Sequence, residues 1–282
     1  MIYKHFILKE VDFKKTYGDG WCIITGGSTG IGFSYAKQFL KRKFKLLLIS
    51  SNLERLEKAK NDLWELYPNS TIEILEYNLS IIYNRETVND LKLKINEKIK
   101  NEDISILINN AGGGNSRYFS KHTVEDINYY INLNINSVIF MTKICMENML
   151  KKINYKSLIV QSGSQMASIR LQKYSIYAST KNFLDSFNSI IAIENRNKID
   201  CTYIEIGPVD TKLNKARMPF KISPDEHAEN VIKFMGNYIF SGPVCLKQEV
   251  EMFLVFLPCI RWKLLNQGET IFGRKKINKK IE

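Results

Sequence analysis

Residues 21–32 of the chain form the sequence WCIITGGSTGIG, which carries the strongest indication of the fold. Its first five residues are mostly apolar, which predicts a short buried strand. A turn with four glycines follows, and the sequence after it predicts a helix through about Lys41. Such a turn lets the backbone approach a pyrophosphate, and the helix N-terminus offers that group free N–H donors. The glycines are spaced GxxxGxG rather than GxGxxG, so an ordinary glycine-rich turn is an equally good interpretation at this point.

Strand-like and helical segments alternate along the rest of the chain. Further strands are predicted at Phe44–Ser50, Thr71–Asn78, Ile104–Asn109, Ser157–Ser162 and Ile199–Ile206. Helices are predicted between them, over residues 53–66, 87–100, 124–150 and 175–196. Strands this apolar are buried on both faces, which is typical of a parallel sheet covered by helices.

The alternation predicts an α/β fold with one domain. We expect a Rossmann-type, doubly wound parallel sheet of about seven strands with helices on both faces. Residues 1–19 are expected to form an N-terminal extension and residues 20–245 the dinucleotide-binding catalytic domain. Residues 246–282 are expected to form a helical or basic tail that can lie at a membrane interface.

Composition and charge narrow the possible functions. The 282 residues carry a formal net charge of +12, which favours anionic ligands or surfaces but is equally typical of a lysine-rich proteome. No nucleic-acid-binding motif accompanies the charge, so we expect no nucleic-acid partner. Five cysteines without a CxxC pair indicate a reducing compartment, and three widely spaced histidines predict no metal site. No run is long enough for a membrane-spanning helix, and the N-terminus does not read as a signal peptide.

Tyr177 and Lys181 lie four residues apart in the sequence YASTK, on the helix predicted after the fifth strand. Residues at this spacing share one helix face. A tyrosine has a pKa of about 10, and a neighbouring ammonium lowers it by stabilising the phenolate. The pair is therefore suited to general acid–base chemistry, although such pairs more often mean a packed ring beside a solvated ammonium.

Three motifs in this order resemble those of the short-chain dehydrogenase/reductase family. They are TGGSTGIG, the sequence NNAG at residues 109–112, and YASTK, and the resemblance covers about residues 20–235. It implies a catalytic tyrosine at Tyr177 and a lysine at Lys181 that lowers its pKa and holds the nicotinamide ribose. It also implies a carbonyl-orienting serine at Ser164 and a proton-relay asparagine at Asn134. The cofactor-binding residues that it implies are Gly26, Ser28, Thr29, Gly30, Ile31, Gly32, Ser51, Arg55, Asn78, Asn110, Ala111, Gly112, Tyr177, Lys181, Val209 and Thr211.

The end of the second strand bears on the choice of cofactor. Ser50, Ser51 and Asn52 stand where a carboxylate would bind the ribose hydroxyls of NAD, so NADP(H) is favoured and NAD(H) is not excluded. Arg55, at the start of the next predicted helix, is a candidate to bind the 2′-phosphate of NADP(H). The family's Pro-Gly pair after the sixth strand reads Ile206-Gly207-Pro208 here, so the loop over the nicotinamide is expected to differ.

Within the family, the chain is similar to the endoplasmic-reticulum branch of very-long-chain 3-oxoacyl-CoA reductases and 17β-hydroxysteroid dehydrogenases. The resemblance implies an NADPH-dependent reductase of a lipid-like ketone, a long-chain 3-oxoacyl-CoA in fatty-acid elongation. The alternatives are a hydroxysteroid or 3-ketosphingoid oxidoreductase and, in another class, a catalytically silent dinucleotide-binding interaction protein.

The branch also implies a homodimer. The terminal residues KKIE resemble a dilysine retrieval signal, which predicts the cytosolic face of the endoplasmic reticulum, with the cytoplasm as the alternative. The apolar and basic residues 252–265 predict peripheral membrane association.

Overall fold

The structure is a computed structural model, and it describes residues 9–211 and 221–237. The strands are β1 (Trp21–Thr25), β2 (Lys45–Ser50), β3 (Ile72–Glu76), β4 (Ile104–Asn109), β5 (Ser157–Ser162) and β6 (Ile199–Ile204). The helices are α1 (Phe13–Tyr17), α2 (Gly30–Lys41), α3 (Leu53–Leu66), α4 (Arg85–Lys98), α5 (Val124–Ile131), α6 (Ser137–Met149), α7 (Met166–Ile169), α8 (Ser175–Glu194) and α9 (Pro224–Val231).

All the strands run parallel in the order β3-β2-β1-β4-β5-β6. The order reverses between β1 and β4, and a crevice opens there at the carboxyl ends of the strands, where α/β proteins bind their ligands. The predicted Rossmann-type fold is confirmed. The sheet has six strands within the described part of the chain, rather than about seven.

Apolar side chains fill both faces of the sheet, as the long apolar runs predict. One face packs against α1, α2, α3 and α9, with Tyr35 and Phe39 of α2 fully buried. The other packs against α4, α6 and α8, where Met141 and Cys145 of α6 are fully buried. Two covered faces hold the sheet rigid, so the loops at its carboxyl edge project from a fixed platform.

Several element bounds differ from the sequence-based prediction by one or two residues, and three differences are described in turn. The single helix predicted over residues 124–150 contains a π-helical segment at Asn132–Asn136, between α5 and α6. The strand predicted through Ile206 ends at Ile204. Residues 13–17 belong to the predicted N-terminal extension, yet Phe13 and Tyr17 pack into the core.

Polar contacts also tie this N-terminal segment to the sheet. The Ser105 hydroxyl and the buried Lys152 ammonium both donate to the carbonyl of Tyr17, at 2.6 and 2.7 Å. The segment therefore closes the amino edge of the sheet, opposite the crevice.

Within residues 9–211 and 221–237, no helix is long and apolar enough to cross a membrane. The predicted tail, with its apolar residues 252–265 and its terminal lysines, lies outside the described residues.

Candidate active site

The turn between β1 and α2 is shaped by its glycines. Gly26 and Gly30 have φ of +65° and +58°, in the left-handed region that favours glycine. A Cβ atom on Gly32 would lie 2.3 Å from the Gly26 carbonyl oxygen, so the turn closes only without side chains. Thr29 caps α2 without a side-chain hydrogen bond, which leaves the first N–H groups of the helix free of a side-chain cap. The result is an anion cradle at a helix N-terminus.

Thr25 fixes the opposite wall of the crevice. Its buried hydroxyl oxygen accepts hydrogen bonds from the N–H groups of Asn110 and Ala111, both at 3.0 Å. The Asn110 side-chain amide donates back to the Thr25 carbonyl at 3.1 Å. The segment that follows β4 is thereby held against the glycine turn, so a Cβ on Gly26 would meet the Asn110 amide at 3.0 Å.

Lys181 lies on α8 with 4% of its surface exposed. Its ammonium donates to the Ser162 carbonyl at 2.6 Å and lies 5.9 Å from the ring centroid of Tyr177. Burial lowers the pKa of Lys181 to about 8, because the charged form loses its hydration. The spacing predicted from YASTK therefore places a poorly solvated ammonium beside the tyrosine ring.

Ser164 and Tyr177 meet across the gap between β5 and α8. The pKa of Tyr177 is raised, not lowered as expected from the neighbouring ammonium, because burial outweighs the hydrogen bond with the Ser164 hydroxyl, which lowers it, and Tyr174 raises it further. The phenol is therefore protonated at neutral pH and is in contact with a second hydroxyl. The Ser164 oxygen also accepts the N–H of Met166 at 3.2 Å, which fixes its direction.

Asn134 is fully buried in the π-helical segment and joins three parts of the site. Its side-chain oxygen accepts a hydrogen bond from the N–H of Gly113 at 2.9 Å, and its amide nitrogen donates to the carbonyl of Gly113 at 2.8 Å. The same amide nitrogen donates to the Thr180 hydroxyl of α8 at 3.1 Å. The long helix, the loop after β4 and α8 are thus locked together beside Lys181.

Four of the remaining predicted cofactor residues form two pairs. Thr211 lies over the glycine turn, where a Cβ on Gly30 would be 3.5 Å from its methyl group, and Val209 packs near Ile31. Ser51 and Arg55 are exposed at the start of α3, where the backbone N–H of Arg55 donates to the Asn52 side-chain oxygen at 2.8 Å.

Ser28 and Asn78 make local contacts near the carboxyl ends of β2 and β3. The Ser28 hydroxyl donates to the Ser50 hydroxyl oxygen at 3.1 Å. Asn78 accepts the N–H and hydroxyl of Ser80 at 3.1 and 2.8 Å, which begins a short turn after β3.

Sequence reasoning missed several residues that shape the site. Tyr203 of β6 donates its hydroxyl to the Lys181 carbonyl at 3.1 Å, and its ring covers Gly163, where a Cβ would lie 2.1 Å from the ring. The Thr180 hydroxyl accepts a hydrogen bond from Asn134. The Ser162 carbonyl accepts one from Lys181. Thr180 lies within the YASTK sequence, but the contacts themselves join residues 19–46 positions apart, so the sequence did not predict them.

Comparison with known proteins gives one family. The model of the short chain dehydrogenase family matches residues 20–221. The very-long-chain 3-oxoacyl-CoA reductase of Macaca fascicularis is 33% identical over 224 residues, which are 77% of this chain and 68% of the relative. A Caenorhabditis elegans relative described as a steroid dehydrogenase is 31% identical over 222 residues, which are 76% of this chain and 82% of the relative.

Solved structures share the fold at lower identity. An alcohol dehydrogenase from Thermococcus sibiricus, complexed with 5-hydroxy-NADP, is 22% identical with a TM-score of 0.67 and covers 78% of this chain and 94% of its own. The L-sorbose reductase of Gluconobacter frateurii, complexed with NADPH and L-sorbose, is 20% identical with a TM-score of 0.68, covering 82% and 98%.

The Thr25 contacts predict a specific stability effect. Thr25→Val keeps the shape of the side chain but leaves the N–H groups of Asn110 and Ala111 without their acceptor. We expect the free energy of unfolding to fall by about 2 kcal/mol, the usual order for buried donors left unpaired. Thr25→Ser, which keeps the oxygen, is the control. Equal stability of the Val and Ser variants in denaturant titrations would contradict this account of the crevice wall.

Proposed function

We propose that this chain, which belongs to the short-chain dehydrogenase family, is a nicotinamide-dependent reductase that uses Tyr177 to protonate a carbonyl oxygen. One observation carries the proposal. A protonated phenol, a second hydroxyl on Ser164 and a buried ammonium on Lys181 meet beside a glycine cradle suited to a pyrophosphate. These are the groups that a carbonyl reduction requires.

The residues present fit a nicotinamide dinucleotide. Gly26 and Gly32 leave the turn without side chains, and the N-terminus of α2 offers uncapped N–H groups to its phosphates. Asn110–Gly112 and Lys181 line the crevice on the way to Tyr177. When bound, such a dinucleotide supplies the hydride for the carbonyl carbon.

The chain's own residues handle the proton. Tyr177 and Ser164 are in contact, so both hydroxyls can reach one carbonyl oxygen, with Ser164 orienting it and Tyr177 donating the proton. The Lys181 ammonium stabilises the phenolate that Tyr177 becomes. Asn134 keeps the loop after β4 against Lys181 through its paired hydrogen bonds to Gly113.

The proposed substrate is a long-chain 3-oxoacyl-CoA. Its support is the name of the relatives at 30–33% identity over about three quarters of the chain. The second candidate is a hydroxysteroid or 3-ketosphingoid ketone, favoured by the relative described as a steroid dehydrogenase. Turnover on acyl-CoA ketones measured beside turnover on steroid ketones distinguishes the two. Dinucleotide binding without turnover on any ketone would favour a catalytically silent binding protein.

NADP(H) is the proposed cofactor. No carboxylate stands at residues 50–52 to repel a 2′-phosphate, and Arg55 is exposed nearby at the start of α3.

A homodimer is proposed from the outer face of α8. Phe183 and Ile190 are 38% and 55% exposed, and Phe183 stacks on Phe187 at 5.9 Å between ring centroids. Removing this apolar strip from water favours association with a second copy. Sedimentation should therefore give a dimer for the wild type, and a shift toward monomer for Ile190→Asp. A monomeric wild type would contradict it.

We also propose retrieval to the endoplasmic reticulum, which the terminal KKIE supports, and peripheral membrane association, which the apolar and basic residues 252–265 support.

Tyr177→Phe tests the proposed catalysis. Loss of the phenol hydroxyl removes the proton donor but not the cradle, so we expect turnover to fall by about 10²–10⁴-fold with dinucleotide affinity nearly unchanged. Steady-state ketone reduction and a binding titration measure the two effects. Tyr155→Phe, at the opposite edge of the sheet, is the matched control and should behave as the wild type. Full activity of Tyr177→Phe would overturn the assignment.

Arg55→Ala tests the choice of cofactor. If Arg55 contacts a 2′-phosphate, its loss should weaken NADPH binding several-fold, by roughly 1 kcal/mol for an exposed ion pair, and leave NADH binding unchanged. Titration of the wild type and of Arg55→Ala with NADPH and with NADH gives the comparison. Tighter binding of NADH than NADPH by the wild type would contradict the NADP assignment.

A further inference from the structure

The three glycines at residues 112–114 all lie against side chains of the proposed catalytic set. A Cβ on Gly112 would be 3.1 Å from both the Lys181 ammonium and the Asn134 side-chain oxygen. Gly113 pairs with Asn134 through its backbone. A Cβ on Gly114 would be 2.5 Å from Cδ2 of Tyr177, 2.7 Å from Cγ and 2.9 Å from Cβ.

The contact at Gly114 is the tightest of the three and the hardest to relieve. All three distances are shorter than non-bonded carbon atoms tolerate. The atoms involved are the root of the Tyr177 side chain, so a small rotation of the ring tip does not clear them. The φ of Gly114 lies outside the left-handed region, so other residues can adopt its backbone conformation. The requirement for glycine at this position is therefore steric.

The loop that carries Gly114 is fixed on both sides, so it cannot simply recede. Before it, Gly113 is clamped to the buried Asn134. After it, the Arg117 N–H donates to the Lys173 carbonyl at 2.9 Å, and the Arg117 guanidinium pairs with Asp126 at 2.5 Å. Any added atom at residue 114 must therefore displace Tyr177 rather than the loop.

We propose that Gly114 is a positioning residue for Tyr177: its bare Cα forms the wall against which the ring rests, and it thereby sets the place of the phenol relative to Ser164 and Lys181. The inference rests on the proposed catalytic role of Tyr177. The reach of a proton donor depends on its position within about an ångström, so the wall governs the rate of proton transfer rather than the affinity for the cofactor.

Gly114→Ala, compared with Gly113→Ala, tests the proposal. A Cβ on Gly113 would lie 3.5 Å from Leu133 and 3.9 Å from Tyr130, both ordinary contacts, so this variant adds the same methyl group without the collision. We expect Gly114→Ala to lower kcat by about 100-fold with little change in KM or dinucleotide affinity. Gly113→Ala should show a much smaller loss. Equal losses in the two variants would overturn the proposal.

A second readout needs no substrate. In NMR spectra of protein with isotopically labelled tyrosine, the Tyr177 ring signal is assigned by its loss in Tyr177→Phe. It should move in Gly114→Ala and stay in place in Gly113→Ala, and an unmoved signal overturns the positioning role. If the wild type reduces no ketone while the signal moves as expected, the proposed function fails and the positioning of the ring stands.

Poor folding of Gly114→Ala is itself informative, because the collision is with the Tyr177 side chain. Tyr177→Ala removes the ring atoms that the new methyl group meets. The loss of stability caused by Gly114→Ala should therefore be smaller in the Tyr177→Ala background than in the wild type, as a double-mutant cycle measures. An equal loss in both backgrounds would overturn the proposal.

Discussion

The burial of one ammonium group organises the carboxyl edge of this protein. Lys181 has almost no contact with bulk water, so its charge depends on fixed oxygen acceptors, and the Ser162 carbonyl accepts a hydrogen bond from it at 2.6 Å. Holding that acceptor in place requires β5 and α8 to keep their spacing. Tyr203 maintains it, because its ring covers Gly163 and its hydroxyl bonds the Lys181 carbonyl.

The parallel sheet explains why chemistry from distant parts of the sequence meets here. Strands that run in one direction deliver their following loops to one edge, so the turns after β1, β4 and β5 and the start of α8 face a common crevice. The π-helical segment adds a fifth contribution, since it presents Asn134 to both Gly113 and Thr180. Such local departures from α-helical geometry are frequent at functional sites.

Residue patterns predicted much of the fold and of the candidate site, and the remaining features depend on packing. Apolar runs such as ISILIN predicted β4 with its observed bounds, and the four-residue spacing predicted that Tyr177 and Lys181 share a face. The collision of Gly114 with Tyr177 was not predictable, because it joins residues 63 positions apart whose approach is set by the clamp on Asn134. Phe13 and Tyr17 were hidden for a similar reason: a five-residue helix carries too weak a pattern to be recognised before its packing is known.

The pH dependence of ketone reduction by the full chain tests the central claim most directly. The pKa of Lys181 is lowered to about 8, so its side chain is charged below that pH and neutral above it. Because the ammonium stabilises the phenolate that Tyr177 becomes on giving up its proton, kcat should be level below pH 8 and fall as the pH rises through it. A kcat that stays constant well above pH 8 would contradict the proposal that Tyr177 and Lys181 act together in carbonyl reduction.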